Sequence, residues 1–382
     1  MTSFPVVPRE AMTHVARAAP FWMSLVLIPL AWVEAIYGGW TLVLMPLATW
    51  YLFTLLDAFV GLYEGNADLD TTDDDVFWYR LITLIWPPLQ FVTLFGVLWY
   101  VTASGHLGTW EKLGLFAGLG VMSGTIGINY AHELAHQKPR FERWLADILL
   151  SMALYSHFRS EHLLVHHRYV GTPRDPVTAR YNENFHFYFS RVFWTQPVSA
   201  FRAEKAMLAR RNLPWYHHTN PFWRYLVLQS LMITLACVIG GLAGLGLFLF
   251  QCYIAIAQLE LVNYVEHYGL TRKHLGDGKY EHVLPRHSWN ASHKASNWLL
   301  INLQRHSDHH YKPDRRFPLL QTYSDDDAPQ LPYGYPVMTM AALVPPLWRR
   351  TMNPRVRAWR KKYYPEIQDW TPYKTATNPM PR

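Results

Sequence analysis

The sequence predicts an all-α integral membrane protein, with six transmembrane helices and a cytoplasmic histidine-rich cap. Three observations predict it. Long uncharged apolar runs recur along the 382 residues, and half of all residues are hydrophobic while only 16% are charged, against roughly 25% in soluble domains. Mean hydropathy is nevertheless near zero, so a polar part of comparable size stands outside the lipid. Finally, 17 Trp and 23 Tyr suit a membrane–water boundary, where an apolar ring body and a polar tip are both satisfied.

A span needs about 20 mainly apolar residues. Phe21 to Tyr37 is the first, with Glu34 near its end, and Trp40 to Leu62 is the second, uncharged until Asp57. The tight Gly38-Gly39 turn makes these two a hairpin. The third runs from Leu81 to about Ser104 and contains Pro87-Pro88, where a kink is expected. The fourth, Leu113 to Ala131, is glycine-rich, which suits close helix packing in lipid. No charged residue lies between Arg224 and Glu260. That stretch is too long for one span and about right for two, with Gly240 to Gly244 as the turn. Phe141 to Tyr155 is apolar on one side, with Arg143 and Asp147 on another, and reads as an interfacial amphipathic helix. The organisation expected is therefore an N-terminal segment (1–20), helices one to four (21–131), a first cap segment (132–221), helices five and six (222–265), a second cap segment (266–351) and a C-terminal tail (352–382). Pro354, Pro365, Pro372, Pro379 and Pro381 predict an extended tail after about Met352.

Six spans place both termini and both cap segments on one side. Those segments carry Arg140, Arg143, Arg168, Arg174, Arg202, Arg210, Arg211, Arg272 and Lys273, and the positive-inside rule makes that side cytoplasmic. The 62–80 loop is acidic (Asp68, Asp70, Asp73, Asp74, Asp75), but acidic residues count little in this rule. The opening Met1-Thr2-Ser3-Phe4-Pro5 lacks a basic region leading to a cleavage site, so no cleavable leader is expected. A net charge of +7 fits anionic headgroups or an acidic protein partner; no nucleic-acid motif accompanies it. Cys237 and Cys252 both sit in apolar runs, which leaves neither a disulfide framework nor a CxxC knuckle. Any metal must be held by His, Asp or Glu.

Four histidine clusters carry the chemistry. His132-Glu-Leu-Ala-His136 ends the fourth span, and residues at i and i+4 share a helix face. His162-Leu-Leu-Val-His166-His167 gives another i, i+4 pair plus a neighbour about 100° around the helix, placed to serve an adjacent metal. His267 stands at the end of the sixth span. In His306-Ser-Asp-His309-His310 the i, i+3 pair shares a face and His310 turns aside. Neutral imidazole suits Fe, Zn, Cu or Ni. Nine rings are too many for one ion, and two ions with four or five each is the natural division. HExxH is also the zinc-protease signature, with Glu133 as base, but a protease needs only one further ligand, and three more clusters are present. A metal transporter would need ionisable groups at mid-membrane, whereas these lie at span ends. His14, His106, His157, His186, His217 and His218 are isolated and read as polar interfacial residues.

HxxxH, HxxxHH and HxxHH in this order among apolar spans resemble the membrane di-iron superfamily of fatty-acid desaturases, hydroxylases and hydrocarbon monooxygenases. Asn263-Tyr-Val-Glu-His-Tyr-Gly-Leu270 looks like the motif that separates alkane monooxygenases from desaturases. So does Arg286-His-Ser-Trp-Asn290 followed by Leu303-Gln-Arg-His-Ser-Asp-His-His310. The likeness runs from about residue 40 to 325; Ala291 and Arg316-Phe-Pro-Leu-Leu320 depart slightly from the pattern. The resemblance implies two non-haem iron ions ligated by His132, His136, His162, His166, His167, His267, His306, His309 and His310. It implies hydroxylation of the terminal methyl of medium- or long-chain n-alkanes: alkane + O2 + two electrons + two protons giving 1-alkanol + water. It also implies rubredoxin as donor, with a rubredoxin reductase upstream, and a multi-pass inner (plasma) membrane protein whose site faces the cytoplasm. Trp50, seven residues before Asp57, resembles a position limiting chain length along a channel to the irons. A desaturase or lipid hydroxylase, or a xylene-type aromatic-methyl monooxygenase, shares the same boxes.

Nine neutral rings around two cations leave a large positive charge, which nearby carboxylates should offset while orienting the rings. Glu133, Glu161, Glu266, Glu281 and Asp308 are the candidates. The chain has no flavin or nucleotide fingerprint and no cysteine cluster, so electrons are expected from outside, and a basic face attracts an acidic carrier.

Overall fold

A computed structural model describes residues 9–72 and 75–370. Met1–Pro5, Asp73, Asp74, Pro372, Pro379 and Pro381, invoked above, lie outside the described residues. Among the described residues five helices are long and apolar enough to cross a membrane: His14–Tyr37, Gly39–Val60, Phe77–Ser104, Thr109–His136 and Pro221–His267. Among the described residues the sheet content is one small hairpin, His274–Gly276 with Lys279–Tyr280.

The first two apolar helices reverse at Gly38, which sits at φ 58, ψ −152, a region open essentially to glycine alone. Glu34 turns inward there and accepts the Met45 N–H at 2.7 Å, so a carboxyl that lipid would penalise ties the hairpin instead. At the far end of the second helix, buried Asp57 accepts the backbone N–H of Ser296 at 3.0 Å and also its hydroxyl. The third helix runs through Pro87-Pro88.

The glycines of the fourth helix let it approach the fifth closely, as its glycine content predicts. A Cβ at Gly120 would stand 2.6 Å from the Ile254 side chain, and one at Gly124 would stand 2.5 Å from the Ala255 carbonyl oxygen. The fifth helix has 47 residues and is interrupted at Gly241 (φ 60, ψ −151), inside the predicted turn and in the same conformation as Gly38. A Cβ at Gly244 would stand 2.9 Å from the Ala236 carbonyl oxygen. A straight helix cannot make that contact, since eight residues rise about 12 Å.

The amphipathic helix read over Phe141 to Tyr155 is Arg140–Met152; it buries Ala146, Leu149, Leu150 and Met152 and leaves Phe141 and Trp144 exposed. The end of the chain departs from expectation. Pro345–Tyr363 is helical, so extended chain does not begin at Met352. The signal was present: Trp348, Met352, Val356 and Trp359 repeat on one face and are buried, and Pro345-Pro346 stand at the helix start, where a missing N–H costs nothing.

Candidate metal centre

The fourth apolar helix delivers His132 and His136 from its last turn, and the fifth delivers His267 as its final residue. The segment His157–Glu161 continues through the π-helical turn His162–His166 into His167–Tyr169. The short helix His306–Tyr311 brings the last three rings. A strap formed by the block at 286–290 holds two of these elements together. Trp289 donates from its backbone N–H to the Glu266 carbonyl at 2.9 Å and from its indole to the Tyr268 carbonyl at 2.9 Å. Asn290 accepts the Ser307 N–H at 2.9 Å and donates to its hydroxyl oxygen at 2.6 Å.

All nine predicted rings converge, in two groups whose ligand atoms lie within 4.8 Å of one another: His132, His136, His162, His167 and His309 in one, and His166, His267, His306 and His310 in the other. The division into five and four matches expectation, but the sorting differs in two boxes. The pair His162 and His166 was expected to share a face. Instead the π turn, closed by the His167 N–H donating to the His162 carbonyl, puts His162 with His167 and sends His166 to the other group. An i→i+5 turn of this kind carries one residue more than an α turn. In the last box His306 joins His310 rather than His309. On an α-helix, i+4 deviates by about 40° and i+3 by about 60°, and here the closer pair wins.

Both groups fit a metal ion. In the five-ring group Nε2 atoms approach at 2.9 Å (His132–His309), 3.0 Å (His136–His162), 2.9 Å (His162–His167) and 3.1 Å (His167–His309). In the four-ring group His306 lies 3.1 Å from His267 and 3.0 Å from His310. Imidazoles at right angles around an ion at about 2.1 Å would have their nitrogens about 3.0 Å apart. Hydrogen bonds alone cannot satisfy so many converging nitrogens, because each neutral ring offers one donor. Burial first, and the other histidines second, push His162, His167, His309 and His310 well below the ordinary imidazole range, which keeps these rings in their neutral, metal-binding form.

Of the five carboxylates read as partners, Glu266 lies beside a ring, its Oε1 3.3 Å from His306 Nδ1. Glu133 instead accepts from Gln137 at 3.0 Å and from the Phe317 N–H at 3.4 Å. Glu281 holds Arg286 at 2.7 Å and His287 at 3.2 Å. Asp308 accepts from Tyr323 at 2.8 Å and the Gln321 N–H at 3.0 Å, fixing the loop that follows its helix. Glu161 is buried, and burial, then Asp175 and Glu260, raise its pKa well above the usual carboxyl value. The carboxylate that sequence reasoning missed is Asp175. Its Oδ2 accepts His166 Nδ1–H at 2.9 Å and the Thr178 hydroxyl at 2.7 Å, leaving the buried Nε2 of His166 without a partner and free to face the other rings. No spacing rule links Asp175 to the box; only its place between two prolines, in a segment that must turn back on the histidines, hinted at it. Replacing Asp175 by Asn is expected to weaken metal binding at the four-ring group by roughly 10- to 100-fold, readable by competition with a chelator, with the five-ring group unchanged.

Trp50 lies on the π-helical stretch Leu47–Leu52, half-buried, with its indole N–H buried and unpartnered. The histidines read as isolated stand outside both groups: His106 bonds Ser104 at 2.7 Å and the Ala35 carbonyl at 3.0 Å, and His186 bonds the Leu343 carbonyl at 3.2 Å.

Apolar helices long enough to cross a membrane end on two polyhistidine clusters that could each hold a metal ion, and comparison with known proteins takes the class further. The fatty acid desaturase family model matches residues 108–342, and the chain belongs to that family. It is 37% identical over 316 residues to alkane 1-monooxygenase 2 of Pseudomonas aeruginosa, covering 81% of this chain and 82% of that protein. It is 37% identical over 319 residues to alkane 1-monooxygenase 2 of Alcanivorax borkumensis, covering 81% of each. A more distant relative, 26% identical over 332 residues and 86% of each chain, is the xylene/toluene monooxygenase hydroxylase component XylM of Pseudomonas putida.

Proposed function

We propose that this protein is an alkane 1-monooxygenase, hydroxylating the terminal methyl of n-alkanes at two iron ions held by the five-ring and four-ring groups. The observation that carries the reading is the convergence of nine imidazoles, sorted five and four, at the ends of apolar helices, in a chain whose full-length relatives bear that name. The irons would supply the redox chemistry that a terminal C–H bond requires, with one oxygen atom of O2 entering the alcohol and the other leaving as water. The chain's own residues hold the rings neutral, orient His166 through Asp175 and tie the elements bearing His267 and His306 together through the 286–290 strap. Trp50 is the position proposed to limit chain length. Gas chromatography of products from octane, longer alkanes, xylene and acyl chains tests the substrate. Preferential turnover of xylene would favour the XylM-like reading, and an unsaturated product would favour a desaturase. Active protein holding zinc alone would overturn the mechanism.

The proposed membrane arrangement has six spans, with Pro221–His267 crossing twice and reversing at Gly241. One straight crossing of 47 residues would be about 70 Å long, against a hydrocarbon core of about 30 Å. The basic residues of the segments beside the histidines support a cytoplasmic position for the site at the inner membrane. The electron donor proposed is an acidic carrier of the rubredoxin type. A 760 Å³ groove, lined by Arg168, Arg174, Arg180, Arg202 and Arg210 and including Asp175, supports its entry beside the four-ring group. Arg202→Glu is expected to raise the donor's KM several-fold and to flatten its salt dependence while kcat is kept. Turnover insensitive to both salt and this variant would rule out the groove as the docking place.

A further inference from the structure

A second basic cavity is lined by none of the nine histidines. It encloses about 310 Å³ between Arg140, Arg143, Trp144, Asp147, Arg159 and Arg224. Arg140 and Arg143 open the amphipathic helix that follows the fourth apolar helix by four residues, and Arg224 stands in the first turn of the fifth. The cavity thus sits where two apolar helices begin or end. Large aromatics crowd the same level: Phe141, Trp144, Trp215, Tyr216 and Trp223 are all exposed, as expected of side chains at headgroup depth.

The charges are held in place rather than neutralised. Buried Asp147 accepts Arg159 Nη1 at 2.7 Å and stands 2.8 Å from Arg224 Nε, and the Arg224 guanidinium lies 5.2 Å over the Trp144 ring. Arg143 donates from Nη1 to the Lys138 carbonyl at 2.8 Å. These contacts leave the remaining guanidinium donors available; four arginines and one carboxylate line the cavity, with Glu204 a further acidic neighbour of Arg159 and Arg224. A ring of guanidinium forks suits the oxygens of a phosphodiester, and basic pockets beside membrane helices on the cytoplasmic side recognise anionic headgroups.

We propose that this cavity binds the headgroup of an anionic phospholipid, its phosphodiester among the four arginines and its acyl chains along the exposed Leu226, Val227 and Leu231 of the fifth apolar helix. The proposal rests on the membrane arrangement above; a chain that stayed soluble without detergent would overturn that arrangement itself. In the test, metal-loaded full-length protein in neutral detergent is titrated with dioctanoyl phosphatidylglycerol, dioctanoyl phosphatidylcholine or inorganic phosphate, reading thermal unfolding. Phosphatidylglycerol is expected to raise the midpoint saturably and phosphatidylcholine not to. Arg140, exposed, is the variant of choice. Arg140→Gln should weaken the response roughly fivefold, while Arg350→Gln, on the distant C-terminal helix, should leave it unchanged. Equal responses to the two lipids, a response to phosphate matching that to phosphatidylglycerol, or an Arg140→Gln protein indistinguishable from the parent would each overturn the proposal.

Discussion

Replacing His267 by alanine is expected to abolish turnover and to lower bound iron from about two ions per chain to about one, since an ion short of a ligand is released while an intact centre keeps its own. The sharper result comes from double variants. His267 and His306 belong to one group, so His267→Ala with His306→Ala should lose no more iron than either alone. His267 and His309 belong to different groups, so His267→Ala with His309→Ala should lose both ions. His310→Ala should behave as His306→Ala, and His309→Ala as His132→Ala. Iron analysis with Mössbauer spectroscopy of the residual ion reads these outcomes. If His306 and His309 prove to act as one pair, the sorting described above is wrong.

A larger effect on stability is expected from the packing of the fourth and fifth apolar helices. A Cβ at Gly124 would stand 2.5 Å from the Ala255 carbonyl oxygen and 2.7 Å from the Gln258 Cβ. The first of these is backbone and cannot turn away. Gly124→Leu should therefore cost about 3 kcal/mol or more, and because the same helix carries His132 and His136, metal retention should fall with it. Gly246 has nothing within 4 Å, so Gly246→Ala should be neutral or slightly stabilising. Thermal unfolding in detergent separates the two. An unchanged midpoint for Gly124→Leu would mean that the helices are not in contact there.

The apolar helices and the convergence of the nine rings were legible because both signals are local. Charge-free runs mark helices that lipid demands, and histidine has few reasons to recur at helical spacing except to meet a metal. The sorting of rings was not legible, because it depends on a turn at His162–His166 that carries one extra residue, and an α-helical count assigns His166 to the wrong neighbour. Asp175 was missed because its pairing with His166 is made by the fold of a loop, not by a period. Glu133, Glu281 and Asp308 drew notice by sitting near histidines in the sequence, yet their carboxylates bind Gln137, Arg286 and Tyr323. The helix Pro345–Tyr363 was hidden by counting prolines instead of the apolar stripe beneath them.

His166 and His167 serve different groups, and so do His309 and His310. Twice, then, neighbouring links of one chain reach to opposite sides. The spacing of the two ring groups therefore follows from adjacent backbone positions, whose peptide geometry is stiff. Inserting a single amino acid between either pair would throw both ring groups out of register at once.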